Sequence, residues 1–423
     1  MKTIDLSPLV PVQQSFPRHA IPELAKSVRG ELARASLTTR LRQGTHIAIA
    51  VGSRGIADLA TIVTAAVAWF QEQGFSPFIV PAMGSHGGGT AEGQAAVLAK
   101  YGIISSRMNC EIRSSTDVVS TGQTPDGIET FLDRIAFESG GIFLINRVKP
   151  HTTFEARVES GLLKMAAIGL GKVRGAQTYH AEAVRRGLGP VVESVGRHAL
   201  RSGKILGGLA ILEDAHHQVG RVAALSSESL EQQEAELLQL ARSWMARLPF
   251  EQIDVLIVDE MGKEISGTGM DSKIVNRHPY GAANAWPSAP RITRVYVRSL
   301  TPRSYGNAVG IGMADLISRR LDQAIDWDVT KTNALTASNL NIIRRPVVAS
   351  DDWEAMNMLA AIAGRARPRD VTIVRIKNTL ELSDILVSEN LLPAVHSRPD
   401  LSVHGAALPW TFNRDGELEV SVP

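Results

Sequence analysis

The chain has 423 residues, with 45 Lys and Arg against 43 Asp and Glu, 44% hydrophobic residues, 21% charged residues and one cysteine. At about 150 residues per domain this length corresponds to two or three domains, and the composition excludes a mostly disordered chain and argues against a dedicated nucleic-acid binder. The single thiol, Cys110, excludes a disulfide framework within the chain and any thiolate-rich zinc or iron–sulfur site.

In chain order, the N-terminal stretch MKTIDLSPLVPVQQSF holds no apolar signal core, so no export is expected. Thr45–Ser53 reads as a buried strand and Leu59–Gly74 as a helix with a glycine stop. The apolar run inside that helix, Leu59–Phe70, is too short to cross a bilayer. The expectation is a cytoplasmic protein with no membrane or nucleic-acid partner. Phe75–Met83 is the next strand and Thr90–Gly102 the next helix; Gly141–Val148 and Ile205–Leu212 are further strands. From Ser227 to Leu248 the residues Leu230, Leu237, Leu238, Ala241, Trp244, Met245 and Leu248 fall on one helical stripe, stopped by Pro249. A second series follows: strands over Ile253–Asp259, Ile292–Leu300, Pro346–Ser350 and Val371–Ile376, and a helix over Trp353–Ala366. Continuous apolar strands alternating with helices predict largely parallel sheets covered on both faces. The domain boundary is placed near Pro249, giving an N-terminal α/β domain over 1–250 and a C-terminal α/β domain over 251–423.

Four loops have the composition of a functional site. Gly84-Ser85-His86-Gly87-Gly88-Gly89-Thr90 joins a strand to a helix, where glycine N–H groups and a helix start favour an anion; it also reads as a tight turn with an exposed histidine. It is neither a P-loop nor a GxGxxG fingerprint. Gly52-Ser53-Arg54-Gly55 offers an arginine fork for a carboxylate or phosphate, or simply a surface arginine. The third and longest runs from Arg147 through Lys149-Pro150-His151, Lys164 and Gly169-Leu170-Gly171-Lys172 to Tyr179-His180. Between Arg147 and Lys204 stand 11 Lys and Arg against 4 Asp and Glu, a concentration that suggests an anionic ligand. Lys164 lies in an otherwise apolar run and is either snorkelling or functional. The fourth loop, Asp259–Lys273, mixes glycines and charges after a strand and reads as a cleft-facing or a solvated loop. His216-His217 reads as a polar turn, because adjacent histidines on a strand point to opposite faces.

Gly84-Ser85-His86-Gly87, Lys149-Pro150-His151, Lys164 and His180, in this order and with 32 residues from Arg54 to His86 and 16 from Lys164 to His180, resemble the nickel-pincer nucleotide-dependent lactate racemase family. The resemblance implies two α/β domains with an active-site cleft between them. It also implies a nickel-pincer nucleotide, a pyridinium-3-thioamide-5-thiocarboxylic acid mononucleotide carrying nickel and delivered by cofactor-synthesis proteins. By the same resemblance Lys164 is the covalent anchor of the cofactor, His180 the nickel ligand, and His86 and His151 the acid/base pair. Arg54 would contact substrate or cofactor, Gly84, Ser85 and Gly87 the cofactor, and Lys273, or else Lys263, a small carboxylate substrate. The implied activity is racemisation or epimerisation of a 2-hydroxy acid by transient hydride transfer. A histidine on each side suits it, since the imidazole pKa lies near working pH. Two positions depart from the family's pattern: Val51 replaces an aspartate, and Thr268-Gly269-Met270-Asp271 replaces a Tyr-Gln pair. These departures lead to the expectation of a larger or more polar substrate than lactate. The alternative reading, from a different class, is a nucleotide- or anion-binding protein of the same fold without pincer chemistry.

Overall fold

In the strand His-Ile-Ala-Ile-Ala-Val, side chains alternate between faces. Ile47, Ile49 and Val51 pack with the helix Leu59–Glu72, and Ala48 and Ala50 with Leu162, Leu163 and Met165 on the other side. Both faces are buried, as the continuous apolar runs require. The computed structural model describes residues 4–39, 41–52, 55–419 and 421–422.

The strands are Leu9–Gln14 (β1), His46–Val51 (β2), Ser76–Pro81 (β3), Val118–Gln123 (β4), Glu129–Asp133 (β5), Gly141–Arg147 (β6), Ile205–Glu213 (β7) and Val219–Ser226 (β8). They continue with Gln252–Val258 (β9), Arg291–Val297 (β10), Leu316–Ser318 (β11), Val347–Ala349 (β12), Ile373–Ile376 (β13), Asp384–Ser388 (β14) and Leu401–Val403 (β15). Two units result, one over Pro17–Met245 and one built from Ala246 onward together with the segment up to Phe16.

In the first unit the sheet order is β3-β2-β6-β7-β8. β3, β2, β6 and β7 are parallel, and β8 closes the edge antiparallel to β7. β4 and β5 form a separate antiparallel hairpin. In the second unit the order is β12-β11-β10-β9-β13-β14-β1-β15, parallel from β12 to β13 and antiparallel beyond. The fold is therefore α/β with largely parallel sheets. The first residues do not open the N-terminal domain: β1 pairs with β14 and β15 of the C-terminal sheet, burying Leu9, Val10 and Val12. Among the described residues no helix is long and apolar enough to cross a membrane.

Candidate functional site

The parallel strands of the first unit end on one edge of their sheet. From β2 the chain moves outward to β3 on one side and to β6 on the other, so β2 and β6 flank a topological switch point, where open α/β sheets leave a ligand crevice. The loops singled out in the sequence emerge there: Gly52 after β2, Gly84–Thr90 after β3 and Val148–His151 after β6. Arg54 lies outside the described residues. The chain beyond it is tied down: Gly55 N–H donates to the Tyr101 hydroxyl (3.0 Å), Arg147 donates to Gly55 O (3.1 Å), and Glu213, ion-paired with Arg147, accepts from Ala57 N–H (2.8 Å).

The His86 turn is built on glycines. Gly87, Gly88 and Gly89 all have φ between +64 and +70. A Cβ on Gly87 would lie 2.6 Å from the carbonyl carbon of Gly93, so the turn seats directly on the following helix, Ala91–Lys100, only because that position has no side chain. Thr90 caps this helix, its hydroxyl accepting from Gly93 N–H at 3.0 Å. His86 is half-buried and Ser85 exposed. Gly84 N–H donates to Gly169 O (3.2 Å), joining this turn to the segment that carries Lys164.

His151 lies on a loop closed by the Lys149–Ser160 bridge. The loop is organised by Glu159, whose wholly buried carboxylate accepts from the N–H groups of His151 and Ala156 and pairs with Arg242. His151 stacks on Phe154, with ring centroids 4.5 Å apart. Its Nδ1 accepts from Thr153 N–H at 3.1 Å, which leaves the proton of the neutral ring on Nε2.

Lys164 ends the short helical turn Leu162–Lys164, and a π-turn over Met165–Gly169 follows. Such π-turns recur at functional sites. The turn is started by Glu234, a buried carboxyl that accepts from Leu162 N–H (2.7 Å) and Leu163 N–H (3.0 Å). A Cβ on Gly161 would lie 2.3 Å from Glu234 Oε1, so this position too is reserved for glycine. The helix Lys172–Arg186 then carries His180. Burial, and after it the positive charge of Lys164, holds the His180 imidazole below its ordinary pKa. The Lys164 charge thus acts on His180 through space, and the imidazole is biased towards the neutral form that binds metals. Tyr179, its hydroxyl pushed up to about 12 by burial, accepts from Phe131 N–H (2.9 Å) and fixes the helix to β5.

The basic excess of residues 147–204 is smaller in space than in sequence. Arg147 pairs with Glu213, Arg157 and Arg197 with Glu231, Arg186 with Asp126, and Lys172 with Asp133, all acids from outside that segment. Folding thus offsets much of the charge expected to draw an anion. His216 sits on a turn built by Asp214, whose carboxylate accepts from His216 N–H and Gln218 N–H. Among the described residues no group of three or more His, Cys, Asp or Glu converges as a metal cage.

In the second unit Lys263 turns inward, donating to Gly267 O (2.6 Å) and Asn333 Oδ1 (3.0 Å). Lys273 holds its ammonium 5.2 Å from the centroid of the Trp286 ring. The substituted segment is mostly structural: Thr268 and Met270 are buried, and Asp271 Oδ1 accepts from Lys273 N–H (2.9 Å). Val51 corrects the expectation drawn from it. It is fully buried and packs with the sheet's helix-covered core, so it does not shape a substrate pocket.

Three positioning groups escaped the sequence reading: Glu159, Glu234 and the Asp133–Lys172 pair. Glu234 had a signal, since it occupies the apolar stripe between Leu230 and Leu237. The other two depend on partners 83 and 39 residues away, which no local pattern shows.

Two units built on largely parallel sheets, the first with the loops of His86 and His151 at the carboxyl ends of its strands, define an α/β fold. The fold is similar to that of the lactate racemase apoprotein from Thermoanaerobacterium thermosaccharolyticum, with a TM-score of 0.51 and 14% identity over 86% of this chain and 100% of that one. Comparison with family models and with curated proteins found no match.

Proposed function

We propose that this chain is a racemase or epimerase of a 2-hydroxy acid that works with a nickel-pincer nucleotide. The observation that supports this most is that the segment carrying Lys164 is hydrogen-bonded to the His86 turn and leads into the helix of His180, whose imidazole is held towards the neutral form by burial and the Lys164 charge. These residues fit the group. Lys164 is half-buried between the buried residues Leu162, Leu163, Met165 and Ala166, a setting suited to a covalent anchor, and His180 would supply one imidazole to nickel while the cofactor supplies sulfur. This donor set needs neither a cysteine nor a multi-residue cage. The turn, left-handed at Gly84 and Gly87–Gly89, offers the backbone N–H groups of Ser85, Gly87 and Gly88 to a phosphate. Arg54 joins this set by the family resemblance.

When bound, the group supplies a hydride acceptor and donor. The chain's own histidines handle the proton of the substrate hydroxyl: His86 and His151 serve as the two acid/base groups, and His151 presents Nε2 to its proton partner because Nδ1 is engaged by Thr153. By the family resemblance Lys273, or else Lys263, is assigned to the substrate carboxylate. The working compartment is the cytoplasm, where cofactor-synthesis proteins would load Lys164.

The test is a panel of chiral 2-hydroxy acids and sugar acids, lactate included, offered to protein from a host that makes the cofactor. Inversion with a C2 deuterium retained in the product is expected. Washout of that deuterium into solvent points to proton abstraction and contradicts the proposal. Tight binding of a nucleotide with no turnover returns the anion-binding reading.

A further inference from the structure

Lys172 is fully buried, and its backbone adopts φ +53, a region a lysine rarely occupies. Its ammonium donates hydrogen bonds to two elements and forms an ion pair with a third. Nζ lies 2.9 Å from Asp133 Oδ2 at the end of β5, 2.6 Å from Pro81 O at the end of β3, and 3.2 Å from Gln94 Oε1 on the helix Ala91–Lys100. Asp133 is equally buried, and its other oxygen caps the next helix by accepting from Ala136 N–H at 2.8 Å. Gln94 passes the contact on, its amide donating to Gly84 O at 2.8 Å and approaching His86 O at 3.4 Å. Lys172 is also the first residue of the helix that carries His180. One buried cation therefore lies where the His86 turn, the strand that launches it and the His180 helix converge.

We infer that Lys172 is a positioning residue, whose ammonium, through Pro81 and Gln94, fixes the His86 turn against the helix carrying His180. This rests on the reading of His86 and His180 as site residues. A buried ion pair with only a general structural role needs no contact with the turn; here two of the three ammonium contacts lead to it. The strained backbone is consistent with a geometry imposed by the site.

The test removes the link without stranding a charge. K172M alone leaves Asp133 buried and unpaired, so the informative variant is the double K172M/D133S, in which serine keeps an oxygen for the Ala136 cap. Q94L cuts the link at its other end. Hydrogen exchange of residues 83–94 and selective ¹⁵N-histidine spectra of His86 are read on the full chain with neither cofactor nor substrate. In both variants exchange at the turn is expected to quicken at least tenfold and the His86 resonances to move, with β6 and β7 unchanged. A turn as protected as in the parent, in a folded K172M/D133S, overturns the proposal. Should that double variant not fold, unaltered protection in Q94L overturns it. These readouts do not depend on turnover, so the positioning role and the racemase reading fail separately.

Discussion

Replacing Glu234 with glutamine should change how stability depends on pH. The carboxyl is wholly buried, and burial raises its pKa from 4.5 to about 7, against the opposing pull of the Leu163 and Leu162 N–H groups. Its second oxygen, Oε1, is buried without a hydrogen-bond partner. For an acid whose pKa is raised by folding, the native state binds the extra proton. The contribution of this group to stability is then fully present below the unfolded value, falls as pH rises from about 4.5 and is gone above about 7. At about 1.4 kcal/mol per pH unit, that window is worth on the order of 3 kcal/mol. Glutamine keeps a carbonyl oxygen for Leu162 and Leu163 but cannot titrate. The stability difference between parent and E234Q should therefore swing by about that amount between pH 5 and pH 8, in favour of the parent at the acid end. Urea unfolding at both values reads this as a relative midpoint shift of about 1 M, for a slope near 3 kcal/mol/M. Other titrating groups cancel in the difference. A parent-minus-variant difference that stays flat from pH 5 to pH 8 would refute the reasoning.

Removing the Lys164 charge by K164A should raise the His180 titration midpoint in imidazole NMR. The rise should be the smaller part of the total depression, because burial is the larger cause; an unmoved midpoint would show that the two side chains do not face each other. H86A and H151A should each lower turnover by roughly 10²–10⁴-fold with the fold retained, as for general acid–base groups; circular dichroism and steady-state kinetics together check this, and full turnover in either variant removes that histidine from the mechanism.

The parallel core was legible because its strands are continuous apolar runs; β2, β3, β6 and β7 fall within a few residues of where those runs lie. β1 was not, since Pro11 in its middle argues against a strand, and its partners β14 and β15 lie more than 360 residues away. The helix expected to reach Leu248 ends at Trp244, with Met245 already extended. The histidines were visible as residues on loops after strands. What holds them was not: Glu159, Glu234 and Asp133 act as buried hydrogen-bond acceptors for distant backbone or cationic partners, and a sequence period reports burial but not pairing. Val51 shows the converse error. Its departure from the family's pattern led to an expectation about the substrate, although the alternation of β2 turns the residue into the core.

The central claim is that Lys164 anchors a nickel-bearing group ligated by His180. It is tested most directly by the intact mass and nickel content of protein purified from a host that makes the cofactor. The account predicts a mass adduct mapped to Lys164 and about one nickel per chain, with the adduct gone in K164A and nickel lost in H180A. Fully active protein with an unmodified Lys164 would contradict it.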